Sequence, residues 1–189
     1  MRLFLAVNPD QQTRHSIGRA TAALRDAAPA LRWTDAARIH LTLKFLGEQE
    51  TGAVDRLRDA LDAVAARHRP IVMRVRHVGA FPNFRRARVV WIGVAQDARL
   101  ELLHHDLEVA CEQRGFELDG RPFRPHMTLV RVPDGTDLEV LRQLSRAAKR
   151  VDFEEECEVE SIDLMQSTLG KAGSSHERLH AAPLRPPPR

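Results

Sequence analysis

The chain has 189 residues, 43% of them hydrophobic and 29% charged, with a net charge of +3. That length fits one domain or two small lobes sharing a cleft, and the balance excludes low-complexity disorder and collagen. No run approaches the ~18 apolar residues of a membrane span. The opening Met1–Pro9 lacks a signal-length apolar stretch and a cleavage site, so a cytoplasmic location is expected.

Leu3–Val7 reads as a strand, and Ile17, Ala20, Leu24 and Ala28 recur on one face of a helix. Ile39–Leu46 reads as a strand stopped by Gly47, then a helix carries the stripe Val54, Leu57, Leu61, Val64. Ile71–Val78 alternates as a strand, and Gly79 to Ala87 reads as a loop. Val89–Val94 is a strand, Leu100, Leu103, Leu107 and Ala110 a helix stripe, and His126–Val132 a strand. Leu138, Leu141, Leu144 and Ala148 mark a last helix, before strands near Phe153–Thr168 and His176–Ala181. The Pro-rich residues 183–189 are expected to be an extended, unpacked tail, leaving one two-lobed domain over residues 1–182.

Two cysteines, Cys111 and Cys157, make neither a disulfide framework nor a Cys-x-x-Cys site. Cys111 falls on a helix stripe, as a small buried hydrophobe does. Of the 29 basic residues, 26 are Arg, whose planar fork suits phosphate. A GC-rich genome yields the same bias, so the count permits phosphate binding without establishing it.

The chain contains a repeat. His40-Leu41-Thr42-Leu43 recurs as His126-Met127-Thr128-Leu129, an offset of 86 residues. The same offset, without gaps, lays Arg2–Leu5 on Arg88–Trp91, helix on helix, and Arg38 on Arg124. Strand, helix, strand and helix in register indicate a duplication. Few helices and no Gly-rich dinucleotide turn argue against a parallel doubly wound sheet. The expected class is α+β: two pseudo-symmetric lobes, each an antiparallel sheet with helices on the outer face, enclosing a central cleft.

Side chains alternate along a strand, so His40 and Thr42 share one face, as do His126 and Thr128, with the apolar residues on the other. Two imidazoles facing each other can act as acid and base near neutral pH, and the Thr hydroxyls can donate to phosphoryl oxygens. In-line displacement at phosphorus needs that set. A zinc site is the weaker reading, since catalytic zinc usually takes three protein ligands and neither motif supplies a carboxylate or Cys. No metal and no cofactor are expected. His15, His68, His77, His104, His105 and His180 lack the pattern and are read as surface or structural. The even positions of Glu154–Glu160 read as one solvated strand face that would repel RNA.

The duplicated motif resembles the two-histidine phosphoesterase superfamily. Met1–Val7, Arg32-Trp33, His40–Gly47, Phe81-Pro82 with Arg85-Arg86, Val89–Val94 and Arg121–Arg131 resemble its bacterial and archaeal RNA 2′,3′-cyclic phosphodiesterase branch, often labelled 2′-5′ RNA ligase. The resemblance implies hydrolysis of RNA 2′,3′-cyclic phosphate ends, or of nucleoside 2′,3′-cyclic phosphates, to 2′-phosphomonoesters; a monomer with no membrane partner is expected. It makes His40 the proton donor and His126 the acceptor, with Thr42, Thr128 and Arg131 holding phosphate.

Strict alternation turns Arg131 and Phe45 toward the core, so Arg131 needs a bulge or strand end to reach the cleft and Phe45 reads mainly as core. Phe45, Arg85 and Arg86 remain candidate RNA contacts, with Arg88 in the same basic loop. The family's late tyrosine is replaced by His176, which puts a ring contact there in doubt. Two alternatives stand beside hydrolysis: reversible 2′-5′ joining of a cyclic phosphate to a 5′-hydroxyl, and a non-catalytic RNA- or nucleotide-binding module.

Overall fold

Aspartates start three of the helices. Asp10, Asp97 and Asp137 each accept a hydrogen bond from a backbone N–H of the first turn, satisfying donors that have no partner within the helix. The protein is described by a computed structural model covering residues 1–170 and 173–185. Its elements are β1 (Arg2–Val7), α1 (Gln11–Ala20), α2 (Ala22–Ala27), β2 (Leu41–Glu48), α3 (Ala53–Ala65), β3 (Ile71–Phe81) and β4 (Val89–Val94). They continue as α4 (Ala98–Glu112), β5 (His126–Arg131), α5 (Leu138–Ala148), β6 (Glu154–Val159), β7 (Ser161–Gly170) and β8 (Gly173–Pro183).

The stretch read as one helix over Ile17–Ala28 is two. The Thr21 hydroxyl, fully buried, donates back to the Ile17 carbonyl at 2.8 Å, a local bond that competes with helix continuation. The loop expected from Gly79 begins later, because β3 runs to Phe81. Leu138 sits at the start of α5 and is 63% exposed, so it leaves the apolar stripe formed by Leu141, Leu144 and Ala148.

The α+β class with antiparallel pairing is as expected, but the two lobes are ends of one eight-stranded sheet, in the order β6-β3-β4-β5-β2-β1-β7-β8. One face is apolar: Leu3, Leu5, Val7, Leu41, Leu43, Val90, Ile92, Met127 and Leu129 join the helix stripes in one core. The other face carries the polar members of the motifs. The repeats also exchange strands, since β3 pairs with β4 and β6 of the second repeat while β7 pairs with β1 of the first.

The gapless offset slips by one residue at β1 and β4. Ala6 pairs with Thr42, and the matching partner of Thr128 is Trp91. A one-residue slip exchanges faces: Leu5 is core, whereas Trp91 lies on the open face. Gly79 makes room for it, because a Cβ there would collide with the Trp91 ring. Residues 183–185, read from sequence as free tail, are docked. Leu184 is buried and its N–H donates to the Glu160 carbonyl at 2.7 Å, and the Arg185 N–H donates to the His68 carbonyl. Residues 186–189 lie outside the described residues.

Candidate active site

The motif strands β2 and β5 touch at a single pair, Leu41 with Met127, which are equivalent residues of the two repeats. Continuing that antiparallel register by one residue sets His40 opposite Thr128 and Thr42 opposite His126. The four polar groups thus share the open face around the pseudo-twofold. The ladder stops there because Trp33 and Thr34 take the next edge positions of β5; the Thr34 N–H donates to the Leu129 carbonyl at 2.8 Å.

Both imidazoles are oriented alike. His40 Nδ1 lies 2.8 Å from the Arg38 carbonyl, and His126 Nδ1 lies 2.6 Å from the Arg124 carbonyl. A carbonyl only accepts, so each Nδ1 carries hydrogen and each Nε2 is left for chemistry. The paired residues Arg38 and Arg124 differ by the motif offset, so the duplication carries the orienting contact too.

The rings differ in surroundings. Burial pushes His40 down to about 4, helped by the positive charge of His176, Arg14 and Arg131 and opposed by the Arg38 carbonyl bond. Burial also lowers His126, which sits edge-on to Phe81 at 4.9 Å with Trp91 nearby. Because the folded state disfavours the His40 proton, the unfolded chain binds more protons between pH 4 and 6.5. This contribution to stability is complete above pH 6.5 and is lost as pH falls through 4.

An anion beside His40 reverses the balance by favouring imidazolium. The His40 Cε1–H resonance is therefore expected to titrate near pH 4 in the free protein and to move upward with saturating inorganic phosphate. A free-state midpoint near 6.5 would contradict this description of the site.

Two bulges decide which other candidates reach the open face. Val90 pairs with Val130 and Trp91 with Thr128, so Leu129 is an extra residue. Leu5 pairs with Lys44 and Ala6 with Thr42, so Leu43 is its counterpart in β2. An extra residue shifts the alternation, turning Arg131 and Phe45 to the open side. Arg131 is exposed, and its charge lowers both histidines. Phe45 is 49% exposed, with the Arg2 guanidinium 5.1 Å from its ring centre. Its assignment to the core is therefore corrected.

The same bulge sends Lys44 inward, to 3% exposure, where Nζ donates to both oxygens of Glu108 at 2.9 and 2.8 Å and to the Glu117 carbonyl.

Arg85 and Arg86 are exposed on a 3-10 turn that packs against α5, and no described contact joins them to the histidines. Arg88 is paired with Asp134. Glu154, Glu156 and Glu158 form the expected solvated face at the sheet edge, where Arg74 pairs with the first two. Of the histidines set aside, His68 and His180 bond to Asp106 and Asp62, and His104 stacks on Phe123.

His176 does make a ring contact. It lies edge-on to His40 and Phe4, each at 5.1 Å, with Phe4 5.0 Å from His40. Sequence reading also missed the cavity of about 330 Å³ beside His40, lined in part by Arg14, Arg38 and Arg178. These three residues lie too far apart in the chain to form a motif. Among the described residues, no three His, Cys, Asp or Glu side chains converge as metal ligands.

A duplicated His-x-Thr pair on adjoining strands, each imidazole oriented by a backbone carbonyl, is the candidate two-histidine site of a pseudo-symmetric antiparallel sheet. The chain belongs to the 2′-5′ RNA ligase superfamily, whose sequence model matches residues 9–171. It is 34% identical over 148 residues to an RNA 2′,3′-cyclic phosphodiesterase of Geobacillus stearothermophilus, covering 77% of this chain and 47% of that one. A protein of the same description from Archaeoglobus fulgidus is 31% identical over 183 residues, covering 95% and 98%. A solved protein of Thermus thermophilus superposes with a TM-score of 0.81 at 27% identity, covering 99% of this chain and all of that one.

Proposed function

We propose that this chain hydrolyses RNA 2′,3′-cyclic phosphate ends, or nucleoside 2′,3′-cyclic phosphates, to 2′-phosphomonoesters. It acts as a cytoplasmic monomer built on one two-lobed domain over residues 1–182, closed by the docked residues 183–185. The observation that carries this reading is the symmetric pair of Nδ1-to-carbonyl bonds, which leaves two Nε2 atoms free on the sheet face that the register also gives to Thr42 and Thr128. The names of the relatives support the substrate class.

Water attacks phosphorus opposite the 3′-oxygen. His126 Nε2 accepts the water proton as the new P–O bond forms. The P–O3′ bond breaks, and His40, protonated beside the bound anion, gives its Nε2 proton to the departing oxygen. Thr42, Thr128 and Arg131 hold the non-bridging oxygens as charge builds on them. No covalent enzyme intermediate forms, and no step uses a metal. Afterwards His126 carries the proton that His40 has lost, and exchange with solvent resets the pair.

Joining a cyclic phosphate to a 5′-hydroxyl would use the same groups, with the hydroxyl in place of water. An oligoribonucleotide with a cyclic phosphate end, incubated in EDTA with and without a 5′-hydroxyl acceptor, separates these readings. Conversion to a monoester in both mixtures is expected. A joined product alone, or binding without turnover, would overturn hydrolysis.

A further inference from the structure

The cavity beside His40 is lined by Arg14 from α1, Arg38 from the turn before β2, His176 and Arg178 from β8, and Asn8 after β1. Three guanidinium groups face it, and among the described residues no carboxylate lines it. Each arginine is held by only part of its donor set. Arg14 Nη1 donates to the Ala37 carbonyl and Arg38 Nη1 to the Ser174 carbonyl, while Arg178 Nη1 lies 3.6 Å from Asp163.

Asp163 is fully buried and already accepts from Asn8 Nδ2 at 2.6 Å and from the Ser161 hydroxyl at 2.9 Å. Together with Asp10, whose charge also acts on Arg14, it leaves the three guanidinium groups in excess. Arg14 Nε is buried and has no partner among the described residues. Leaving a buried donor unpaired is costly, and an anion held in the cavity by the remaining guanidinium donors would offset the desolvation that lowers the Arg14 pKa.

We propose that this cavity is a second anion subsite, which takes the phosphate on the 5′ side of the nucleotide whose 2′,3′-cyclic phosphate lies between the histidines. The proposal rests on His40 being the donor to the 3′-oxygen. The ribose bearing that oxygen then lies on the His40 side, and its 5′ substituent leaves the ring toward the arginines. The preferred substrate is consequently a 5′-phosphorylated nucleotide or a longer RNA end, rather than a nucleoside cyclic phosphate.

The test compares binding of 2′-AMP, adenosine 2′,5′-bisphosphate and the dinucleotide ApA bearing a 2′-phosphate, alongside kcat/KM for the three corresponding cyclic phosphates. An added 5′ phosphate or diester is expected to tighten binding and raise kcat/KM about ten- to hundredfold, as charge-assisted hydrogen bonds do. A gain with the bisphosphate only assigns a terminal 5′-phosphate, and a gain with the dinucleotide only assigns the chain diester. Both support the subsite.

Arg178→Gln, at an exposed position, and the conservative Arg14→Lys should bring the ratios close to one. Equal binding of all three probes by the unaltered protein, or ratios unmoved by both substitutions, would overturn the proposal. Binding ratios that persist without hydrolysis of any cyclic phosphate would support the subsite and count against the hydrolytic reading alone.

Discussion

His126→Ala is expected to lower hydrolysis of a 2′,3′-cyclic phosphate by about 10²–10⁴-fold, the usual worth of a positioned general base. The fold should survive, because the ring stands on the open face against Phe81 and Trp91 rather than in the core. His40→Ala should cost a similar factor by removing the donor. The double variant should fall far less than the product of the two losses, because both groups serve one step. Unchanged melting with collapsed turnover is the expected pattern, read from thermal unfolding and initial rates on the same preparations. Retention of more than a tenth of the activity in either single variant would refute the assigned roles.

Breaking the ion pair between Lys44 and Glu108 is expected to destabilise the protein by about 3–5 kcal/mol, the cost of leaving one buried charge without its partner. Lys44→Met strands a carboxylate that then keeps only the Asp119 N–H and a distant His104. It also frees the Glu117 carbonyl, so the chain from Glu117 to Asp119 loses one of its two ties to this ion pair and keeps the Asp119 N–H bond to Glu108. Adding Glu108→Leu should recover much of the loss, since a well-packed apolar pair can replace a buried ion pair at little cost. Urea unfolding of the two variants measures both effects. A loss below about 1 kcal/mol for Lys44→Met would mean that the pair is not desolvated as the fold implies.

The duplicated motif was readable in the chain because it is local. Alternation over four residues assigns His40 and Thr42, and equally His126 and Thr128, to one face, and the repeat brings the two strands together. The extra residues Leu43 and Leu129 were not readable. Each looks like an ordinary apolar strand position, and only its pairing against β1 or β4 reveals a bulge. The uncounted residue in β2 misdirected Phe45, and the one in β5 made the placement of Arg131 conditional. The slip between β1 and β4 has the same origin, since an offset carried from one strand to another cannot see a change of register. Thr21 had no apolar signature to mark the break between α1 and α2. Arg14, Arg38 and Arg178 share a cavity only after three distant segments have packed, which no spacing rule anticipates.

The most direct test of the acid–base assignment is incubation of the purified protein with 2′,3′-cyclic AMP in EDTA, with 2′-AMP resolved from 3′-AMP. The proposed donor role of His40 toward the 3′-oxygen predicts 2′-AMP as the product, formed under chelation and lost in both histidine variants. Formation of 3′-AMP, or turnover that survives both substitutions, would contradict it.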